Sequence, residues 1–219
     1  MFANRDEAGR DLARQLRMMR DQMPVVLALP RGGVPVAARV AAALNAPLDL
    51  MLVRKIGVPG HHELAVGAIA GTDGQTMVTN PAVAAMAGLT EHDIDRLADA
   101  ERAELRRRQA LYLNGRAPVA LAGRTVILVD DGIATGATAK AALLAIRKAA
   151  PKRIVLAVPV ASGDAVADLR PFADDILCLE IPPMFYAVGA QYRDFPQIED
   201  TEVIETLASQ RPRTAPSQA

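Results

Sequence analysis

The chain has 219 residues, 51% of them apolar, which is enough for one sizeable core with room for a small extra lobe. Lys plus Arg and Asp plus Glu each number 25, so the formal net charge is zero, and the sequence lacks the basic excess that gives nucleic-acid binders their sequence-independent attraction. Aromatic residues make up 3% and Trp is absent, which argues against a stacking platform for single strands. Cys178 is the only cysteine, so no internal disulfide is possible; within Ile176-Leu177-Cys178-Leu179 it reads as a buried strand thiol. No Cys/His cluster has zinc spacing, Met1 to Glu7 holds no apolar h-region, and no run reaches about 18 apolar residues. A soluble, cytoplasmic protein without nucleic-acid or membrane partners is therefore expected.

In chain order, Asn4 is placed to cap a helix with Asp6 and Glu7 in its first turn and Ala8, Leu12, Leu16 and Met19 on one face. Val25 to Leu29 is an apolar run of the buried-strand kind and ends in Pro30-Arg31-Gly32-Gly33. A helix of small residues follows, Val36 to Leu44. Leu48 to Val53 reads as the next strand, closed by Arg54-Lys55, and Gly57 to His62 as a Gly/Pro-rich loop. Leu64 to Ile69 reads as a third strand, and Thr72-Asp73-Gly74 as a turn into a short extended piece, Thr76 to Val78.

Thr90 and Asp93 form a capping box, and Leu89 with Ile94 a staple, for a helix running to Leu113 with one broad solvated face of Arg and Glu. Thr125 to Val129 is the clearest buried strand. Thr138 to Ala149 reads as an Ala/Leu helix, and Ile154 to Val158 and Ile176 to Leu179 as further strands. Residues 1–209 are expected to form a single domain, with 210–219 a flexible, polar tail.

Strands alternating with helices imply an α/β fold with a parallel sheet, right-handed crossovers and helices on both faces. Such sheets bind ligands beyond the carboxyl ends of their strands. The unusual polar residues stand at three such ends: Pro30-Arg31-Gly32-Gly33, Arg54-Lys55 and Asp130-Asp131.

The stretch Thr125 to Thr138 carries the most chemistry. A buried strand delivers two carboxylates, Asp130 and Asp131, and then the small residues Gly132, Ala134, Gly136 and Ala137 let backbone N–H groups approach a ligand. Thr135 and Thr138 add hydroxyls, and the next helix starts here with its free N–H groups and positive dipole end, which suits a phosphate. The carboxylates repel phosphate, so their place beside a cradle suggests a grip on sugar hydroxyls and attraction of a metal that neutralises the ligand. A plain helix cap explains one carboxylate, not the second, nor the Thr/Gly spacing.

Ile127-Leu128-Val129-Asp130-Asp131-Gly132-Ile133-Ala134-Thr135-Gly136-Ala137-Thr138 resembles the signature of the type I phosphoribosyltransferase family, and the wider resemblance runs from about Val25 to Leu179. One departure is Gly132, where the family has an aliphatic residue or Ser; added backbone freedom is the expected consequence. The resemblance implies that Ile133, Ala134, Thr135, Gly136, Ala137 and Thr138 cradle the 5-phosphate of phosphoribosyl diphosphate. Asp130 and Asp131 would hold the ribose hydroxyls and, through water, Mg2+. Arg31, Gly32, Gly33, Arg54 and Lys55 would hold the diphosphate, with Lys55 also serving catalysis alongside the two carboxylates, and His61 or His62 are candidate donors to the leaving group.

The same resemblance implies a non-proline cis peptide at Pro30-Arg31, a homodimer, and a hood at about 180–200, with the N-terminal segment, over a small-molecule acceptor. Phe185 and Tyr186, in a stretch resembling the aromatic-Val-Gly segment of 6-oxopurine transferases, are the candidate acceptor-stacking rings. The acidic residue those enzymes carry shortly after it is not in place, with Gln191 near that position, and no Lys stands in Ile154 to Val160 to read a 6-oxo group. The loop Lys55 to Glu63 is expected to cover the site against water. The implied activity is transfer of the 5-phosphoribosyl group to a nucleobase-like acceptor. The alternative is a non-catalytic regulator that senses phosphoribosyl diphosphate, for which a basic face or an appended helix-turn-helix would be expected and is not seen.

Overall fold

The computed structural model describes residues 1–71, 76–113, 115 and 117–210, without the side chains of His62 and Glu63. The turn expected at Thr72-Asp73-Gly74, nearly all of the expected tail and the His62 side chain therefore lie outside the described residues.

Asn4 caps α1 (Arg5–Leu16) by accepting a hydrogen bond from the Glu7 N–H. β1 (Val25–Ala28), β2 (Leu48–Leu50), β6 (Thr125–Val129), β7 (Arg153–Val160) and β8 (Asp175–Glu180) form a parallel sheet in the order β2-β1-β6-β7-β8. Alternation along these strands divides the core into two layers. Val26, Ala28, Ile127, Val129, Val155 and Ala157 face one layer. Val25, Leu27, Val126, Leu128, Ile154 and Leu156 face the other. Because both faces are covered, the central strands are apolar on both sides rather than at every second position, apart from Thr125 and Arg153 at the starts of β6 and β7.

One layer is closed by α1, by α2 (Gly33–Leu44), by α4 (Glu91–Leu113) and by α7 (Asp200–Ser209) through Val203 and Leu207. The other is closed by α5 (Ala137–Lys148) and α6 (Gly163–Leu169), so helices cover both faces as expected. The box at the start of α4 is formed, with the Thr90 N–H donating to Asp93 Oδ2 at 3.0 Å and the Asp93 N–H to Thr90 Oγ1 at 3.2 Å.

The stretch Leu48 to Val53 is not one strand. It breaks at Met51, and β3 (Leu52–Val58) turns away into a separate antiparallel sheet with β4 (His61–Gly71) and β5 (Thr76–Thr79). Arg54 and Lys55 therefore stand inside a strand rather than at its end, and the expected loop Lys55 to Glu63 is a β-hairpin. Its Pro and Gly are concentrated in the turn, where Gly60 takes φ +79°, and Ile56 and Val58 bury one face. Register shifts around Gly57 mark a bulge that lets Gly57 stay within a strand. Three further helices escape the sequence reading: α3 (Pro81–Met86), capped by Asn80, α6, capped by Ser162, and α7, opened by a Glu199/Glu202 capping box.

Candidate ligand site at the strand ends

Parallel pairing of Ala28 with Val129 brings the ends of β1 and β6 side by side, so Pro30-Arg31-Gly32-Gly33 lies against Asp130-Asp131. The approach is tight. A Cβ at Gly32 would stand 2.1 Å from Asp131 Oδ2, and one at Gly33 2.8 Å from the Val129 carbonyl oxygen and 2.9 Å from Asp130 Cα. The Gly33 N–H donates to the Leu29 carbonyl at 3.0 Å, so Gly33 supplies space rather than the free donor expected of it. The Pro30–Arg31 peptide is cis, as the family resemblance implies.

Asp131 does not open to solvent as its position beyond a strand suggests. It is only 9% exposed, and its Oδ2 accepts from Arg5 Nε at 2.7 Å. Tyr192 donates its hydroxyl to the Asp131 carbonyl at 2.5 Å. Asp130 is half-buried, and its Oδ1 accepts the Asp131 N–H at 2.9 Å. Burial, and then the charge of Asp131, hold the Asp130 carboxyl well above the usual carboxylate range. Burial raises Asp131 as well, against the pull of Arg5.

The loop after the pair is pinned to the end of β7. The Ile133 N–H donates to the Val160 carbonyl at 2.9 Å, and Ser162 Oγ donates to the Ala134 carbonyl at 2.7 Å. Ile133 is thus buried with its N–H spent, and the segment open to a ligand narrows to Ala134, Thr135, Gly136, Ala137 and Thr138. Gly136 takes φ +76° as the N-cap of α5, and no side chain caps that helix. Its first-turn N–H groups and positive dipole end face the loop. Gly132 has another cause than the backbone freedom expected of it: a Cβ there would meet Val188 Cγ1 at 2.5 Å.

The basic residues are distributed. Arg31 Nη1 lies 3.4 Å from Asp200 Oδ1, at the first residue of α7, and Tyr112 donates its hydroxyl to the same oxygen at 2.5 Å. Arg54 pairs with Glu101 of α4 at 2.7 Å and lines a narrow crevice with Pro30, Arg108 and Thr138. Lys55 is exposed and lines a different cavity, of about 340 Å³, between β4 and α5, shared with Ala137 and Lys140.

A cavity of about 560 Å³ opens beside Asp131, lined by Arg5, Arg31, Gly32, Val188, Phe195, Gln197 and neighbours. Neither expected ring lines it. Tyr186 is 80% exposed, and Phe185 packs against the cluster of Phe2, Ala8, Val160 and Tyr192. The sequence reading thus misses Arg5, Tyr192, Phe195 and Asp200. Arg5 alone leaves a trace: a cation in the first turn of a helix opposes the helix dipole and signals an anionic partner elsewhere.

A profile of the phosphoribosyl transferase domain family matches residues 3–192. The crystal structure of TT1426 from Thermus thermophilus is 42% identical and superposes with a TM-score of 0.85, covering 96% of this chain and 99% of that one. Two Mycobacterium tuberculosis proteins, MT0597 and Rv0571c, named only provisionally as phosphoribosyl transferases, are 46% identical over 207 residues. The match takes in 94% of this chain but 46% of theirs, so the chain spans about half the length of these relatives. A hypothetical protein from Neisseria gonorrhoeae, 13% identical with a TM-score of 0.52 over 96% of this chain and 99% of its own, shares the fold.

Proposed function

Because the chain belongs to the phosphoribosyl transferase domain family, we propose that it transfers the 5-phosphoribosyl group of phosphoribosyl diphosphate to a nucleobase-like acceptor, releasing diphosphate. The observation that carries this reading is the uncapped start of α5, with its loop of small residues, set beside two carboxylates that touch the glycines after a basic strand end. In this reading a phosphate cradle, a diol grip and a diphosphate grip adjoin one another.

In this reading Ala134 to Thr138 hold the 5-phosphate, Asp130 and Asp131 hold the ribose hydroxyls, and Arg31 with the Gly32 backbone holds the diphosphate. Arg54 approaches from the hairpin beside Pro30 and Thr138, Lys55 reaches the cradle from the cavity it shares with Ala137, and the hairpin serves as the cover. Residues 180–200 with the N-terminal segment form the hood, and the acceptor occupies the cavity beside Asp131 rather than a stack on Phe185 or Tyr186. The displacement at ribose C1 passes through an oxocarbenium-like state, as in glycoside chemistry, so the protein's work is to align the groups, hold the leaving charge and exclude water.

Among the described residues no group of three or more His, Cys, Asp or Glu gathers to hold a metal. Two carboxylates beside a phosphate cradle fit a magnesium ion whose ligands come mainly from the substrate, with Asp130 and Asp131 reached through water. Magnesium bound with the substrate supplies the charge neutralisation that makes diphosphate a better leaving group.

One observation favours the non-catalytic sensing reading. Arg31, Arg54 and Asp131 are each engaged by a partner within the protein, which suits a switch between internal and ligand contacts. The experiment that separates the two readings is incubation with magnesium, phosphoribosyl diphosphate and a panel of bases, following diphosphate release. Release that depends on one acceptor supports transfer. Binding without release under every acceptor supports sensing.

A further inference from the structure

Arg5 lies outside every segment that the sequence motif marks, yet it is only 7% exposed and lines the cavity beside Asp131. Its Nε donates to Asp131 Oδ2 at 2.7 Å, and its Nη1 donates to the Pro196 carbonyl at 2.7 Å. Its Cζ stands 3.6 Å from the centre of the Phe195 ring. Phe195 stacks on Tyr192 with ring centroids 4.9 Å apart, and Tyr192 donates its hydroxyl back to the Asp131 carbonyl. The contacts close into a ring: Arg5 to Asp131, Asp131 to Tyr192, Tyr192 to Phe195, and Phe195 to Arg5.

We propose that Arg5 is a positioning residue that sets the Asp131 carboxylate for the ribose hydroxyls and ties it to the cavity wall at Phe195 and Pro196. This rests on the reading of Asp131 as a ribose-binding group. A planar guanidinium suits the task, since it can bond in two directions within its plane while its face lies on a ring. A lysine ammonium keeps the charge but loses the plane, the second direction and the stack. Asp131 has little freedom otherwise, because the Gly32 backbone covers the same carboxylate. Held between these two neighbours, Asp131 still lines the cavity. An ion pair kept for stability alone makes no such demand, and buried pairs of that kind often contribute little net stability.

The test compares wild type, Arg5→Lys, Arg5→Gln and Asp131→Asn in the full chain by calorimetry. Two probes are used: ribose 5-phosphate, which carries the hydroxyls, and inorganic diphosphate, which does not. Arg5→Lys should weaken ribose 5-phosphate about tenfold, a charge-assisted hydrogen bond being the contact degraded, and leave diphosphate unchanged. Arg5→Gln should weaken it further. If Arg5→Gln fails to fold, Arg5→Lys decides, since it keeps the buried charge paired. Equal weakening of both probes in Arg5→Lys would reduce Arg5 to a structural residue and overturn the proposal. Wild-type affinity in Arg5→Lys and Arg5→Gln, with ribose 5-phosphate lost in Asp131→Asn, would overturn it while leaving the reading of Asp131 intact. Unchanged affinity in Asp131→Asn would remove that reading, and the proposal with it.

Discussion

Gly32 lies so close over Asp131 that a Cβ on it would stand 2.1 Å from the carboxylate Oδ2. The Gly32 backbone itself is ordinary, with φ −60° and ψ −35°, so an alanine there is opposed by space alone. Asp131 cannot swing aside without leaving Arg5. Gly32→Ala should therefore cost about 1–3 kcal/mol, the range of an overpacked site, and displace the acidic pair. Urea unfolding and calorimetry with phosphoribosyl diphosphate check both effects. A variant with wild-type stability and affinity would show that the loop yields easily.

Asp130 and Asp131 both carry raised pKa values in the fold, from burial first and, for Asp130, from the neighbouring charge second. A carboxyl with a raised folded-state pKa holds its proton longer in the folded than in the unfolded chain. Its contribution to stability is therefore present below the unfolded value, 3.8, and is lost as pH rises through the folded one. Asp130→Asn should flatten the fall in stability above the ordinary carboxylate range, as measured by urea unfolding across a pH series. A fall of unchanged steepness would place its cause elsewhere. Asp93, Glu104 and Asp200 are shifted the other way by hydrogen bonds to Thr90, Arg107 and Tyr112, but they are exposed enough for solvent to screen most of the effect.

Asp200 holds Arg31 at 3.4 Å from the far end of the chain. If Arg31 grips diphosphate, the carboxylate competes for it. Asp200→Asn should tighten diphosphate binding, by no more than about fivefold, because a half-exposed pair contributes at most about 1 kcal/mol. The Tyr112 hydroxyl can still donate to the amide oxygen, so the start of α7 should stay in place. Weaker binding would mean that Asp200 orients Arg31 instead of restraining it.

The hairpin offers a contrast between neighbours. Arg54 is half-buried and paired with Glu101, whereas Lys55 is exposed. Lys55→Ala should lower turnover while leaving stability within about 0.5 kcal/mol, as for an exposed substitution. Arg54→Ala should cost more stability, since it strands Glu101 against β3. Turnover and thermal melts on the two variants check this, and full activity in Lys55→Ala would remove Lys55 from the site.

The sequence was informative where local physics decides the structure. All-apolar runs such as Val126 to Val129 marked doubly covered strands, and the Thr90/Asp93 spacing marked a helix start. Asp130 to Thr138 marked the loop because its small residues and carboxylates fall within one turn of chain. It was silent where the partner is distant. Arg5 and Asp131 are separated by 126 positions, and no local pattern links them. The hairpin was hidden because Pro59 and Gly60 suggest a loop, while the burial of Ile56 and Val58 depends on helix α4 packing beneath them. Phe185 and Tyr186 drew attention as aromatic residues, but Phe195, ten positions beyond Phe185, is the ring at the cavity, carried there by its stack on Tyr192.

The central claim is that the loop from Asp130 to Thr138 and the turn from Arg31 to Gly33 form one site for phosphoribosyl diphosphate. Calorimetric titration of the wild-type chain with this ligand and magnesium tests it most directly. Saturable binding at one site per chain is expected, displaced both by ribose 5-phosphate and by inorganic diphosphate. Absence of binding, or binding that only one of the two competitors displaces, would contradict it.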